Sequence, residues 1–135
     1  MLKEPLVLSF HKAAENAGQE IVKSGGNAFD AYVAVTMVEN VVSSGVVTLA
    51  GLLSTLVYHS GTKKVQYMDG GYNSVLDPRG NFDPKNPVEG KKIVVPGLVA
   101  GLFDLSTRYG NLSFSRVLQP AIKVASDRSE EDGIY

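Results

Sequence analysis

The sequence contains no cysteine. Disulfides and thiolate metal sites are therefore excluded, and redox chemistry gives no indication of compartment. Neither sign of charge is in excess: 13 Lys and Arg stand against 14 Asp and Glu, for a formal net charge of −1. Nothing electrostatic points to nucleic acid or to an anionic membrane as partner. Nucleotide motifs are missing as well, with neither a G-x-x-x-x-G-K-S/T loop nor a G-x-G-x-x-G turn between strand and helix. The two histidines, His11 and His59, fit no H-x-x-x-H or H-E-x-x-H spacing and read as surface or strand-end residues rather than metal ligands. No G-x-S-x-G elbow is present, and Ser43-Ser44-Gly45 does not imitate one. A triad assembled by the fold stays open, because triads do not depend on spacing.

Long apolar runs are scarce too. Residues 41–62 carry no charge, which is long enough to span a bilayer. Ser43, Ser44, Thr48, Ser54, Thr55 and His59 dilute that stretch, and Gly45 and Gly51 punctuate it. A buried strand and turn is the reading, not a membrane span. The first ten residues lack the sustained apolar core of a signal peptide, since Glu4 and Pro5 interrupt it, so cytoplasmic residence is expected. No repeat or low-complexity tract is present. At 135 residues the chain is long enough for one domain.

What is present is organised around one hinge. In KSGGNAFDAYVAV (residues 23–35), Gly25 and Gly26 can take the positive φ that ends a helix. Asn27 is a strong N-cap, and Asp30 falls in the first turn, where a carboxylate suits the positive helix end. Asp30 thus reads as part of a helix start rather than as a general acid. Before the hinge, Ala13, Ala14, Ala17, Ile21 and Val22 recur at helical spacing and predict an amphipathic helix over residues 11–24. After it, residues 28–40 have almost no polar face, so that helix must be covered on most sides. Residues 6–9 read as a buried first strand. Residues 52–58 and 64–68 predict a hairpin through the turn at 59–62. Residues 70–92 form a long polar loop, a candidate functional segment. Pro96 suits the first position of a helix with Leu98, Val99, Leu102, Phe103 and Leu105 on its apolar face. Ser113 can cap a last helix, kinked at Pro120. The acidic tail with Glu130, Glu131 and Asp132 reads as solvated.

Four stretches in this order resemble the γ-glutamyltranspeptidase family. Gly25-Gly26-Asn27-Ala28-Phe29-Asp30-Ala31 looks like its GGNAxDA element. Ser44-Gly45 followed by Leu49-Ala50-Gly51 resembles its glycine-rich turn and strand. Val94-Val95-Pro96-Gly97-Leu98-Val99-Ala100-Gly101 is similar to its VPGxVAG helix start. Tyr109-Gly110-Asn111-Leu112 with Leu118-Gln119-Pro120-Ala121 resembles YGxLxxxxxLxPA. The resemblance implies an N-terminal-nucleophile hydrolase, an α+β fold of layered αββα architecture, of which residues 1–135 supply an N-terminal portion of the large chain as a single incomplete domain. It also implies autoproteolysis of a precursor. The new N-terminal threonine of a small C-terminal partner chain would attack a γ-glutamyl amide, its own α-amine serving as base. On this resemblance no catalytic residue lies in these residues, no cofactor or metal is needed, and the ligand is a small amino-acid-derived molecule.

Two departures bear on that ligand. Gly71 and Tyr72 stand where the family's Arg-Glu motif would place the arginine that grips the substrate α-carboxylate, and Arg79 is eight positions further along. The family's glycine run is replaced by Ala50-Gly51-Leu52-Leu53. Substrate contact is therefore expected at Gly71, Tyr72 and Asn73, with Arg79 as a compensating residue, and a small aromatic or cyclic amino-acid derivative would suit Tyr72 and Asn73. Three functions follow: a divergent family enzyme, a non-catalytic subunit completing a partner's fold, or a conventional γ-glutamyl hydrolase or transferase using Arg79.

Overall fold

In the computed structural model the described residues are 5–43, 45–73, 85 and 94–132, with side chains to residue 127. The elements are α1 (Lys12–Lys23), α2 (Ala28–Val42), β1 (Leu53–His59), β2 (Lys64–Gly70), α3 (Leu98–Tyr109) and α4 (Phe114–Asp132). The α+β class expected from the sequence holds. The chain divides into two compact units, Met1–Thr48 with Leu102–Tyr135, and Leu49–Gly101.

The first unit is helical. Ala14, Ala17, Gly18 and Ile21 form the buried stripe of α1, and the small size of the first three lets α2 come close. A Cβ at Gly18 would meet Val35 Cγ2 at 2.7 Å, so the missing methyl is what admits the neighbour. Ala14 and Ala17 share a core with Val38 of α2 and Ala121 of α4. The expectation that α2 is covered on most sides holds for one face only. Asp30, Ala31, Val33, Ala34 and Val38 are buried, whereas Tyr32, Val35, Thr36 and Met37 are half-buried.

The hinge between α1 and α2 follows the expected chemistry with one correction. Gly25 has φ 96°, and Gly26 N–H donates to Ile21 O at 3.0 Å while Gly25 N–H donates to Val22 O at 3.1 Å. That is the paired C-terminal motif in which a glycine takes the left-handed position. Gly26 does not share the positive φ. It is small for packing, since a Cβ there would meet Ile21 Cγ2 at 2.7 Å and Asp30 Cβ at 3.1 Å.

Two further expectations are corrected. Residues 5–9 are extended but form no strand, because a strand exists only through a ladder partner and none is found among the described residues. Of residues 41–62, expected as buried strand and turn, only β1 is a strand among those described, with Leu53 and Val57 buried, whereas Val46, Val47, Leu49 and Leu52 ahead of it are exposed. The helix α4 continues to Asp132, so Glu130, Glu131 and Asp132, which carry no structural signal of their own in the sequence, are helical, consistent with the low cost of elongating a nucleated helix. Pro120 lies within that helix. No described helix is long and apolar enough to cross a membrane.

The second unit holds the hairpin. β1 and β2 pair antiparallel from Leu53↔Gly70 to His59↔Lys64, two residues wider in total than the sequence predicts on β2 and shifted by one on β1. Successive side chains alternate between faces. Leu53 and Val57 are therefore buried together, while Leu56, Tyr58, Val65 and Tyr67 line the opposite, exposed face. Ser54 Oγ and Tyr67 OH are 3.1 Å apart on that face.

Candidate functional site

The end of β2 carries the residues singled out for substrate contact. Asp69 Oδ1 accepts the Gly71 N–H at 2.9 Å, which turns the chain out of the strand. Asn73 then pairs with Val95 through both backbone bonds, Asn73 N–H to Val95 O at 3.0 Å and Val95 N–H to Asn73 O at 2.8 Å. The two ends of the segment 74–94 are thereby held side by side. Immediately after Val95, Gly97 is pressed against the turn, where a Cβ would lie 2.3 Å from both Gly70 O and Gly71 O. No side chain fits at that distance.

That close approach also explains where α3 begins. The sequence predicts Pro96 as its first residue, but the helix starts at Leu98. Val95 is committed to the extended pair with Asn73, and a residue before proline favours extended backbone. Gly97 instead supplies the first helical carbonyl, accepting Gly101 N–H at 2.8 Å, and Leu98 N–H is satisfied by Gly51 O at 3.1 Å. Gly101 in turn admits Leu53, whose Cδ2 would lie 2.7 Å from a Cβ there. The hairpin, the VPG turn and the first turn of α3 are thus fixed on one another within the second unit.

Gly71, Tyr72 and Asn73 are brought together by these contacts. Tyr72 is 48 % exposed and Asp69 and Asn73 are exposed, so a carboxylate, a phenol and an amide are the polar side chains the turn presents. The Gly71 N–H is already engaged by Asp69 and is not a free donor. Arg79 lies outside the described residues. Arg108 pairs with Asp104 at 2.8 Å, an exposed contact of small energetic weight, and neither Arg108 nor Arg116 belongs to the unit holding residues 70–73. Among the described residues no group of three or more His, Asp or Glu side chains could hold a metal ion.

A second arrangement was not legible from spacing. Asp30 is fully buried and completes a capping box with Asn27: Asn27 Oδ1 accepts Asp30 N–H at 3.2 Å and Asp30 Oδ2 accepts Asn27 N–H at 2.9 Å. The same carboxylate reaches 81 residues along the chain, where Oδ2 accepts Asn111 N–H at 2.9 Å. Asn27 Nδ2 donates to Tyr109 O at 2.6 Å, and the rings of Phe29 and Tyr109 lie 5.0 Å apart. Gly110 fits because a Cβ would stand 2.5 Å from Asp30 Oδ1. The GGNAFDA hinge and the YGNL turn therefore clasp each other. The hint in the sequence was chemical: Asp30 has more acceptor capacity than a helix start uses.

Glu39 is the other buried-edge carboxylate with several partners. It accepts from the hydroxyls of Ser9 and Ser43 and from the His11 N–H. Burial pushes its carboxyl up, but those hydrogen bonds and the nearby His11 charge outweigh burial and hold it below the ordinary value of 4.5.

Known proteins match most of this chain. Residues 14–128 match the family model described as Gamma-glutamyltranspeptidase. The chain is 37 % identical over 121 residues to a glutathione hydrolase-like YwrD proenzyme of Bacillus subtilis, covering 86 % of this chain and 23 % of that protein. It is 32 % identical over 114 residues to glutathione hydrolase 2 of Arabidopsis thaliana, covering 82 % of this chain and 20 % of the relative. It superposes on Helicobacter pylori gamma-glutamyltranspeptidase with a TM-score of 0.75 at 30 % identity, over 93 % of this chain and 38 % of that one. The transpeptidase CapD of Bacillus anthracis gives a TM-score of 0.73 at 28 % identity, over 90 % and 38 %. The chain spans about a fifth to a quarter of the length of these curated relatives. On the match over residues 14–128 and these identities, this chain belongs to the γ-glutamyltranspeptidase family.

Proposed function

We propose that these residues are the N-terminal portion of the large chain of an N-terminal-nucleophile hydrolase or transferase whose substrate differs from a γ-glutamyl compound. A small chain from the same precursor would supply the nucleophile, and residues 70–73 would face the substrate. The observation that carries the substrate reading is the turn itself. Gly71 and Tyr72 occupy the strand end where the resemblance places the carboxylate-gripping Arg-Glu pair, and Asp69 already occupies the Gly71 N–H. An α-carboxylate brought there would meet a carboxylate and a phenol instead of a guanidinium. Loss of one buried charged partner costs about 2–5 kcal/mol, or roughly thirtyfold or more in affinity. An amide lacking the free glutamyl head and carrying an aromatic or cyclic body suits Tyr72 and Asn73 better.

The test compares turnover of a γ-glutamyl anilide with that of an anilide of an uncharged acyl group, in wild type, Gly71→Arg and Arg79→Ala, using the protein expressed from its full reading frame. A Cβ at Gly71 meets no backbone within 4 Å beyond its neighbours, only the Asp69 side chain, Oδ1 at 2.8 Å, so an arginine fits once that carboxylate swings aside. Wild type should favour the uncharged acyl group, and Gly71→Arg should raise kcat/KM for the γ-glutamyl anilide at least about tenfold. Efficient γ-glutamyl turnover by wild type that disappears in Arg79→Ala would overturn the divergent reading in favour of a conventional one.

A further inference from the structure

Leu52 stands one position ahead of β1 and is 51 % exposed, whereas its neighbour Leu53 is 3 % exposed. Leu53 is the packing residue of the two. It pairs across the hairpin with Gly70, and its Cδ2 would lie 2.7 Å from a Cβ at Gly101. Gly51, on the other side of Leu52, is fixed as well, because its carbonyl accepts Leu98 N–H at 3.1 Å. Leu52 is therefore held between two anchored residues while half of its surface stays open to solvent. A lone exposed leucine is ordinary on a protein surface. The position of this one gives it a role.

The register of the hairpin sets that position. Leu53 pairs with Gly70 and Ser54 with Asp69, so one step further along each chain places Leu52 beside Gly71. By two-residue alternation Leu52 projects from the face opposite that of Leu53. A Cβ at Gly71 would have only Asp69 atoms within 4 Å beyond its chain neighbours. Neither Leu52 nor any other described side chain thus fills the place a larger residue at 71 would take. The same turn presents the exposed side chains of Asp69, Tyr72 and Asn73. Leu52 adds the apolar element to a carboxylate, a phenol and an amide, and small-molecule sites combine apolar walls with a few oriented polar groups. Leu52 also belongs to the stretch Ala50-Gly51-Leu52-Leu53 that departs from the family's glycine run. A glycine at this position would leave that end of the hairpin without a wall.

We propose that Leu52 is a specificity-determining residue, the apolar wall of the acyl site at this turn, and that it selects amides whose acyl group carries an aryl body, such as an arylacetyl group. The proposal rests on the substrate reading above and names the residue that discriminates within it. The test is the ratio of kcat/KM for phenylacetyl anilide to that for acetyl anilide, both measured on one sample of the protein expressed from the full reading frame. Loss of folded protein cancels in such a ratio. Wild type should favour the phenylacetyl compound. Leu52→Ala should lower the ratio at least about tenfold, with the loss lying in KM for phenylacetyl anilide. Leu52→Met, an apolar side chain of similar volume, should keep the ratio within about twofold of wild type. A ratio that does not change in Leu52→Ala would overturn the proposal, and so would an equal fall in Leu52→Met, which marks a structural role. Titration calorimetry with phenylacetamide reads binding without turnover. Its dissociation constant should rise at least about tenfold in Leu52→Ala, and equal binding by both proteins would overturn the proposal even where turnover is absent. The two readings fail separately. Preference of wild type for the γ-glutamyl anilide rejects the substrate reading and this wall with it, whereas a preference for uncharged acyl groups that ignores Leu52 rejects the wall alone.

Discussion

Replacing Asp30 should be the most damaging change to the clasp between the hinge and the YGNL turn. The carboxylate is fully buried and accepts from Asn27 N–H and Asn111 N–H at 2.9 Å each, with Leu112 N–H further off at 3.4 Å. Asp30→Ala leaves two strong donors without their partner, on half-buried Asn27 and exposed Asn111, each at a cost of about 1–2 kcal/mol, the lower part of the range for an unsatisfied group. It also removes a negative charge from the N-terminus of α2, worth about 0.3–1 kcal/mol. A loss of about 2–5 kcal/mol follows, within the range reserved for broken buried networks. Asp30→Asn is the discriminating control. Its single carbonyl can take the position of Oδ2 and keep both strong bonds, forfeiting the weak Leu112 contact and the charge, so about 1–2 kcal/mol is expected. The assay is urea denaturation of the protein carrying these residues, read with the exchange of the Asn27 and Asn111 amides. The midpoint should fall in the order wild type, Asn, Ala, with the slope unchanged. Equal effects of Asn and Ala, or an Ala cost below about 0.5 kcal/mol, would refute the clasp.

Three other outcomes follow from the same geometry. Gly110→Ala should be costly in wild type, since the new Cβ meets Asp30 Oδ1 at 2.5 Å and Ser106 O at 2.6 Å, and less costly in Asp30→Ala, where one clash is gone; a double-mutant cycle reads that coupling. Glu39 has a lowered folded-state value, so its contribution is complete above the unfolded value near 4.5 and is lost as pH falls through the folded value. The urea midpoint of wild type should therefore drop more steeply below pH of about 4.5 than that of Glu39→Gln. Gly97→Ala, with its Cβ 2.3 Å from two backbone oxygens, should displace residues 70–73 and reduce kcat/KM at least about tenfold, whereas Gly25→Ala, with open space around it but φ 96°, should cost only about 1 kcal/mol of stability and leave turnover unchanged.

The helices and the hairpin were legible because each is written locally. Ala14, Ala17 and Ile21 repeat at helical spacing, Asn27 announces a start, and Leu53 and Val57 alternate with exposed neighbours. The failures came where a distant contact decides. Residues 6–9 have strand composition, but pairing depends on a partner that local pattern cannot supply. Pro96 reads as a helix start until the Asn73–Val95 pair and the crowding at Gly97 push α3 to Leu98. Asp30 satisfies the rules for a first-turn acid, and its reach to Asn111 is a property of the packed turn. At the candidate site the same division holds: the departure at Gly71 and Tyr72 is visible in the sequence, whereas the seating of that turn under Gly97 is visible only in three dimensions.

Intact mass and N-terminal sequencing of the protein purified from its full reading frame test most directly whether these residues serve a self-cleaving enzyme. Two chains are expected, the smaller beginning with Thr, Ser or Cys and the larger containing the GGNAFDA hinge. A single uncut polypeptide that retains amide turnover would contradict it.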